Sequence, residues 1–347
     1  VALDAMEANS RVLFSGPAGI GKTMLAIETA RRSHNAGRKV LFLCYNRLLG
    51  KWLKEQTADL NSRVITRTLH SHMLTVSGLS SAGKTSDFWQ NELPLIAIDR
   101  LLEAKGEEHL FNELVIDEAQ DVLRDTYLDF LDLSLRGGLS SGRWRFFGDF
   151  EKQTIYSAAN LSSEEFQKTR AAQVPIYSLR TNCRNTPRIA ELVHLLGGLQ
   201  PRYSRILRPD DRVEPELKYY TSEAHQQQLL ITALQQLYTE GFSGNDIVIL
   251  SPRTGAACAA GAIGGPPWKD RLRPIETAGR GQIGYSSIHA FKGLEASIVI
   301  VTDIDKIDRD TSMSLFYIAV TRALYKLLIF MHEHVKEDIL NLLNLPT

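Results

Sequence analysis

Short apolar runs alternate with longer stretches of helical spacing from the start of the chain. Val12-Leu13-Phe14 precedes a helix predicted over about 22–34, and Val40-Leu41-Phe42-Leu43 precedes another over about 48–56. Further apolar runs follow at Val64-Ile65-Thr66, Leu114-Val115-Ile116 and Arg145-Phe146-Phe147. Strand followed by helix, repeated, predicts a parallel sheet covered on both faces. After Pro175 the pattern restarts with Ile176-Tyr177-Ser178-Leu179 and continues through 217–220, 247–250, 298–301 and 327–330. The expectation is an α/β protein of two domains, 1–175 and 176–347. Three stretches rich in Gly and Pro, 78–86, 200–215 and 255–284, read as loops.

Composition narrows the function classes. The 347 residues carry 40 Lys plus Arg against 40 Asp plus Glu, and 44% are hydrophobic. Counted separately, 1–175 holds 21 basic and 22 acidic residues, and 176–347 holds 19 and 18. Neither half is a basic module that coats nucleic acid through bulk charge. Cys44, Cys183 and Cys258 are far apart and in no metal-ligand spacing, which predicts free thiols in a reducing, cytoplasmic setting. No apolar run approaches the roughly 18 residues of a membrane span, so no membrane association is expected. Because the chain opens on Val1 rather than Met, a preceding segment is expected.

Two motifs carry chemistry. Gly16-Pro17-Ala18-Gly19-Ile20-Gly21-Lys22-Thr23 fits G-x-x-x-x-G-K-[ST] between a predicted strand and a predicted helix. Gly16, Gly19 and Gly21 let backbone N–H groups curl around a phosphate chain, Lys22 reaches the outer phosphates, and Thr23 is a Mg²⁺ ligand. Leu114-Val115-Ile116 then runs into Asp117-Glu118. Asp117 at the strand end is placed to hold the Mg²⁺ shell, and Glu118 to position or deprotonate the attacking water. The reading is a Mg²⁺-dependent nucleoside triphosphatase.

Asp117-Glu118-Ala119-Gln120, followed by the 147–156 run Phe147-Gly148-Asp149-Phe150-Glu151-Lys152-Gln153-Thr154-Ile155-Tyr156, resembles motifs II and III of superfamily 1 helicases of the UvrD/Rep group. Leu179-Arg180-Thr181-Asn182-Cys183-Arg184-Asn185 resembles motif IV, Ser287-Ile288-His289-Ala290-Phe291-Lys292-Gly293-Leu294-Glu295 motif V, and Tyr317-Ile318-Ala319-Val320-Thr321-Arg322-Ala323 motif VI. Order and approximate spacing agree over nearly the whole chain. The resemblance implies two tandem RecA-like P-loop NTPase domains with parallel sheets, with ATP hydrolysed at the cleft between them. It assigns Gln153 as γ-phosphate sensor, Arg184 and Arg322 as arginines contributing about 10³ to 10⁵ in rate, and Glu295, beside Gly293, as the ribose contact.

The same resemblance implies strand contacts. Cys44-Tyr45-Asn46 resembles motif Ia, and Thr68-Leu69-His70-Ser71 motif Ib. Tyr45, Asn46, Thr68, His70, Ser287 and His289, with Arg253, are the expected contacts, at strand ends where an open α/β sheet takes ligands. Cys183 stands where the family carries an adenine-stacking Tyr, and no glutamine motif is visible in 1–11, so adenine recognition is not carried over. After Tyr156 the chain reads Ser157-Ala158-Ala159-Asn160, without the family's aromatic and Arg. The insertion at about 72–112 has room for one or two helices, such as 88–104, and no large duplex-engaging insertion is present. These features predict a translocase motor on single-stranded DNA, with RNA open, moving 3′ to 5′ by its Lys292-Gly293 pair. They also predict an additional module or partner, such as a nuclease. The alternative is a nucleotide-controlled interaction switch that keeps the fold without translocating.

Overall fold

The structure is a computed structural model and describes residues 1–81, 84–150, 160–199, 202–307 and 311–343. Its contacts divide into two compact units: Val1–Pro17 with Gly21–Leu179, and Arg180–Thr347 with Ala18–Ile20. The first is built on β1 (Arg11–Ser15), β2 (Val40–Cys44), β3 (Val64–Thr68), β4 (Glu113–Asp117), β5 (Arg143–Gly148) and β6 (Ile176–Ser178). They form one sheet in the order β3-β2-β4-β5-β1-β6, parallel throughout. All five residues of β2 and of β4 are buried, as expected of central strands covered on both faces.

This order places the ends of β4, β5 and β1 side by side, with Asp117 opposite Phe147 and Ser15 opposite Gly148. The helix Lys22–Asn35 starts from Gly21 in the left-handed region and buries Ala26, Ile27 and Ala30, a spacing that sets one face against the sheet. At the opposite end of β4, Glu113 is fully buried and accepts from the Ser33 hydroxyl at 2.5 Å and from Arg143 Nε at 3.1 Å, with Arg38 at 3.5 Å. The inserted segment holds a π-helical turn, Phe88–Glu92, running into the helix Leu93–Glu103, close to the expected 88–104.

The domain boundary differs from the sequence reading. β6 pairs with β1, so 176–178 closes the first sheet instead of opening the second, and the division falls at Leu179/Arg180. An apolar strand at a sheet edge reads the same whichever sheet it joins; only pairing decides.

In the second unit, β7 (Thr181–Asn182) and β8 (Arg205–Ile206) form a small pair. The main sheet holds β9 (Glu216–Tyr220), β10 (Ile247–Ser251), β11 (Leu272–Pro274), β12 (Ile283–Ser287), β13 (Ala296–Ile304) and β14 (Ala323–His332). Its order is β11-β12-β10-β13-β14-β9, again parallel. The expected loop 255–284 is more structured than its Gly and Pro content suggested. It contributes β11 and the short helices Ala259–Ala262 and Trp268–Arg271. Trp268 and Leu272 are buried there, and that burial offsets the conformational cost of the glycines.

Asp303, near the end of β13, organises this sheet's carboxyl edge. Its backbone is left-handed (φ 61°) beside a register shift between Val301 and Ile304. The buried carboxylate accepts from Gln226 Nε2 at 2.8 Å, Ser251 Oγ at 2.7 Å, Thr302 Oγ1 at 2.9 Å and the Ala259 N–H at 3.1 Å. Gln226 Oε1 in turn accepts from the Asp303 N–H at 2.8 Å. Cys44 and Cys258 are buried and Cys183 is exposed, all as free thiols. No helix among the described residues is long and apolar enough to cross a membrane. Gln226→Met keeps the volume but removes one bond to the buried Asp303 carboxylate and one from the Asp303 N–H, so urea unfolding is expected to show a loss of about 3 kcal/mol.

Candidate nucleotide and strand sites

The loop after β1 has the conformation that its glycines allow. Gly19 and Gly21 have φ of 81° and 82°, a region costly for residues with a Cβ. Gly16 N–H donates to Gly148 O at 3.1 Å and ties the loop to the end of β5. Lys22 is buried, and its ammonium donates to the carbonyl oxygens of Gly16 at 2.7 Å and Pro17 at 2.8 Å. The cation therefore sits inside the curl of the loop.

Asp117 ends β4 fully buried. One oxygen accepts from the Glu118 N–H at 3.0 Å; the other, Oδ2, has no hydrogen-bond partner among the described residues. Burial, and after it the Glu118 charge, push this carboxyl well above the usual range, while the Thr23 hydroxyl and Lys22 ammonium pull it back. A buried carboxylate oxygen with no hydrogen-bond partner among the described residues, with a threonine hydroxyl close by, is a donor set that suits a hard divalent cation. Asp117 and Thr23 are the residues that fit it.

Glu118 is held in a conformation few non-glycine residues adopt, φ 53°, ψ 46°. Its carboxylate accepts from Gln120 Nε2 at 2.6 Å, and Gln120 Oε1 accepts from the Asp149 N–H at 3.1 Å. Asn160 donates to the Gln120 carbonyl at 3.0 Å. Gln120 thus joins the end of β4 to the end of β5 and fixes the Glu118 side chain. Gly148 makes room for it: a Cβ there would lie 2.7 Å from Gln120 Oε1 and 2.8 Å from the Phe150 ring.

In the second unit, Arg184 Nε donates to Glu295 Oε2 at 2.6 Å. The expected rate-enhancing arginine and the expected ribose contact are therefore paired with each other here. Gly293, two residues before Glu295, has φ 86°. Arg322 is 1% exposed and donates to Ile318 O at 2.9 Å, Leu294 O at 3.3 Å and Thr321 Oγ1 at 3.0 Å. Ser287 and Ser251 are register partners on adjacent strands, and Ser287 Oγ accepts from the Ala290 N–H at 3.2 Å. Burial, with Lys292 adding to it, lowers the His289 pKa. Arg253 is paired with Asp305 at 2.6 Å and Glu223 at 3.1 Å.

In the first unit the expected strand residues meet at the ends of β2 and β3. Asn46 caps the helix Arg47–Gln56 by accepting from the N–H groups of Leu48 and Leu49, and Thr68 caps Leu69–Ser77 through the Ser71 N–H. The Tyr45 and His70 rings are 5.1 Å apart, and His70 Nε2 is 3.0 Å from Tyr127 Oη. Burial pulls the His70 pKa down to about 4 and keeps the imidazole neutral near pH 7.

Gln153 lies outside the described residues. The sequence reading missed Gln120 as a site residue, although it sits within the Asp117-Glu118-Ala119-Gln120 run. Tyr127 and Trp89 carried no local signal, because only the fold brings them to His70.

Residues 285–330 match the family model described as "UvrD-like helicase C-terminal domain", and residues 2–127 match "Type III restriction enzyme, res subunit". No curated protein matches the chain. Among solved structures, the "Crystal structure of Arterivirus nonstructural protein 10 (helicase)" aligns at 13% identity and a TM-score of 0.46, over 99% of this chain and 64% of that one. This chain therefore spans less than two-thirds of that protein's length. Each family match covers less than half of the chain; the first contains the runs read as motifs V and VI, and the second contains the phosphate loop and the β4-end acids.

Gly148→Ala is expected to cost about 1–3 kcal/mol in urea unfolding through overpacking on Gln120 and Phe150. Adding Gln120→Ala should recover part of that loss, a coupling that a double-mutant cycle measures.

Proposed function

We propose that this chain is a superfamily 1 helicase core, an ATP-driven translocase or helicase motor on single-stranded nucleic acid, DNA in preference to RNA, moving 3′ to 5′. The observation that carries the reading is the constellation at the ends of β1, β4 and β5: Lys22 inside its loop, Asp117 Oδ2 without a protein donor, and Glu118 clamped by Gln120. A switch protein needs to bind a triphosphate; a carboxylate fixed this firmly beside the cation ligands supports turnover.

Lys22 holds the outer phosphates, exchanging its two carbonyl bonds for phosphate oxygens. Asp117 and Thr23 hold Mg²⁺, which when bound neutralises charge on the phosphate oxygens. Glu118, aimed by Gln120, orients the attacking water and accepts its proton. Arg184 and Arg322 contribute positive charge in the transition state. For Arg184 this requires giving up Glu295, which is then available to a ribose hydroxyl. The uncharged groups at the strand ends grip phosphates without a basic surface, consistent with the balanced charge of both halves. A further module or partner, such as a nuclease, would supply the task to which the motor is coupled.

ATP turnover with and without single-stranded DNA or RNA tests the reading. Strand-stimulated hydrolysis is expected; one rate regardless of strand would instead favour the nucleotide-controlled switch. Lys22→Ala should abolish nucleotide binding or turnover. Glu118→Gln should keep ATP binding and lower turnover by about 10² or more, and normal turnover would remove Glu118 from the base role.

A further inference from the structure

The helicase motifs do not account for the inserted segment, yet one of its side chains completes an aromatic surface at the ends of β2 and β3. The Trp89 ring lies 5.5 Å from His70, which lies 5.1 Å from Tyr45 and 5.6 Å from Tyr127. Tyr127 and Phe88 are buried and anchor the group from below, while Trp89, His70 and Tyr45 are half-buried. Phe88 meets Trp89 edge to face at 5.3 Å. Trp144 is at 0% exposure, whereas Trp89 packs against the core only in part and remains partly exposed.

Two further observations point to a ligand for this surface. The turn that carries Trp89, Phe88–Glu92, is π-helical, a local irregularity frequent at functional sites. Arg124 lies beside the aromatic group, 5.9 Å from the Tyr127 ring centroid, with its guanidinium nitrogens 3.5 Å from the Gln90 and 3.4 Å from the Asn91 amide oxygens. His70 is neutral near pH 7, while Arg124 beside Tyr127 and Lys84, whose ammonium lies 4.4 Å from the Phe88 ring centroid, bring positive charge to this group. Pre-positioned rings next to a cation suit a chain of bases and phosphates, because every base has a face to stack.

We propose that the insertion supplies part of the strand site, with Trp89 stacking a base and Arg124 meeting an adjacent phosphate. This rests on the reading that single-stranded nucleic acid crosses the ends of β2 and β3. It gives the small insertion a task in gripping the track.

The test measures binding of the whole chain, by fluorescence anisotropy, to labelled oligothymidylate and to an abasic strand of equal length. Trp89→Leu keeps an apolar side chain and removes the stacking face. It should weaken oligothymidylate binding about ten-fold and leave abasic binding unchanged. Trp89→Phe should recover most of the loss. Arg124→Ala should weaken both strands and reduce the salt slope by about one. Equal affinity of Trp89→Leu and the parent chain for oligothymidylate would overturn the proposal while leaving the motor reading intact. So would an equal loss on both strands, which would mark a structural role. If Trp89→Leu does not fold, oligothymidylate quenching of tryptophan emission in the parent chain and in Trp89→Phe decides: quenching lost with Trp89 supports the proposal, and equal quenching in both overturns it. If the parent chain binds neither strand, the motor reading fails and takes this proposal with it.

Discussion

A carboxylate taken out of water at the end of a parallel strand is the constraint around which the first unit is arranged. Among the described residues, Asp117 Oδ2 has no hydrogen-bond partner, and the other oxygen accepts from the Glu118 N–H. Such a group is costly to bury unless something else completes it. The sheet holds it there through full burial of β4 between β2 and β5, and the nearest compensation comes from a threonine hydroxyl and an ammonium presented by the loop after β1. The unit is thus a well-packed frame around an electrostatic deficit that a cation can fill.

Parallel strands make this possible because their carboxyl ends lie along one edge. Sequence-distant residues therefore come to one edge: Lys22 held by the loop after β1, Glu118 after β4 and Asp149 after β5. Gln120 bonds both Glu118 and Asp149, and a glycine at 148 lets it do so. The second unit applies the same logic in a different way. Its carboxyl edge is tied by Asp303, whose charge is absorbed by hydroxyl, amide and backbone donors rather than by a cation.

The fold class and the phosphate site were legible because both rest on local pattern. A strand of buried apolar residues, a glycine-rich turn and an apolar helical stripe are all written in consecutive residues, and the β4 acids follow their strand directly. Pairing is not written that way. Thus Ile176–Ser178 was read as opening the second domain although it closes the first sheet, and β11 was hidden in a stretch rich in glycine and proline. Side-chain partners are harder still. Arg184 and Glu295 read as separate contacts and prove to be bonded to each other, while Asn46 and Thr68, read as strand contacts, also cap helices. Trp89 had no readable role until the chain brought it to His70.

The two acids that bound β4 lead in different directions. Glu113, at one end, gathers a hydroxyl and two arginines on Oε2, whereas Asp117, at the other, takes the Glu118 N–H on one oxygen and faces the phosphate loop; each acid keeps one oxygen without a hydrogen-bond partner among the described residues. One five-residue strand thus separates an acid compensated by fixed arginines from one that faces the phosphate loop. For protein engineering this is a usable asymmetry. Changes around Ser33, Arg38 and Arg143 address how long the scaffold survives heat or denaturant, whereas substitutions at the far end of the same strand address what it can bind. The two properties can be selected in parallel libraries and recombined with little cross-talk.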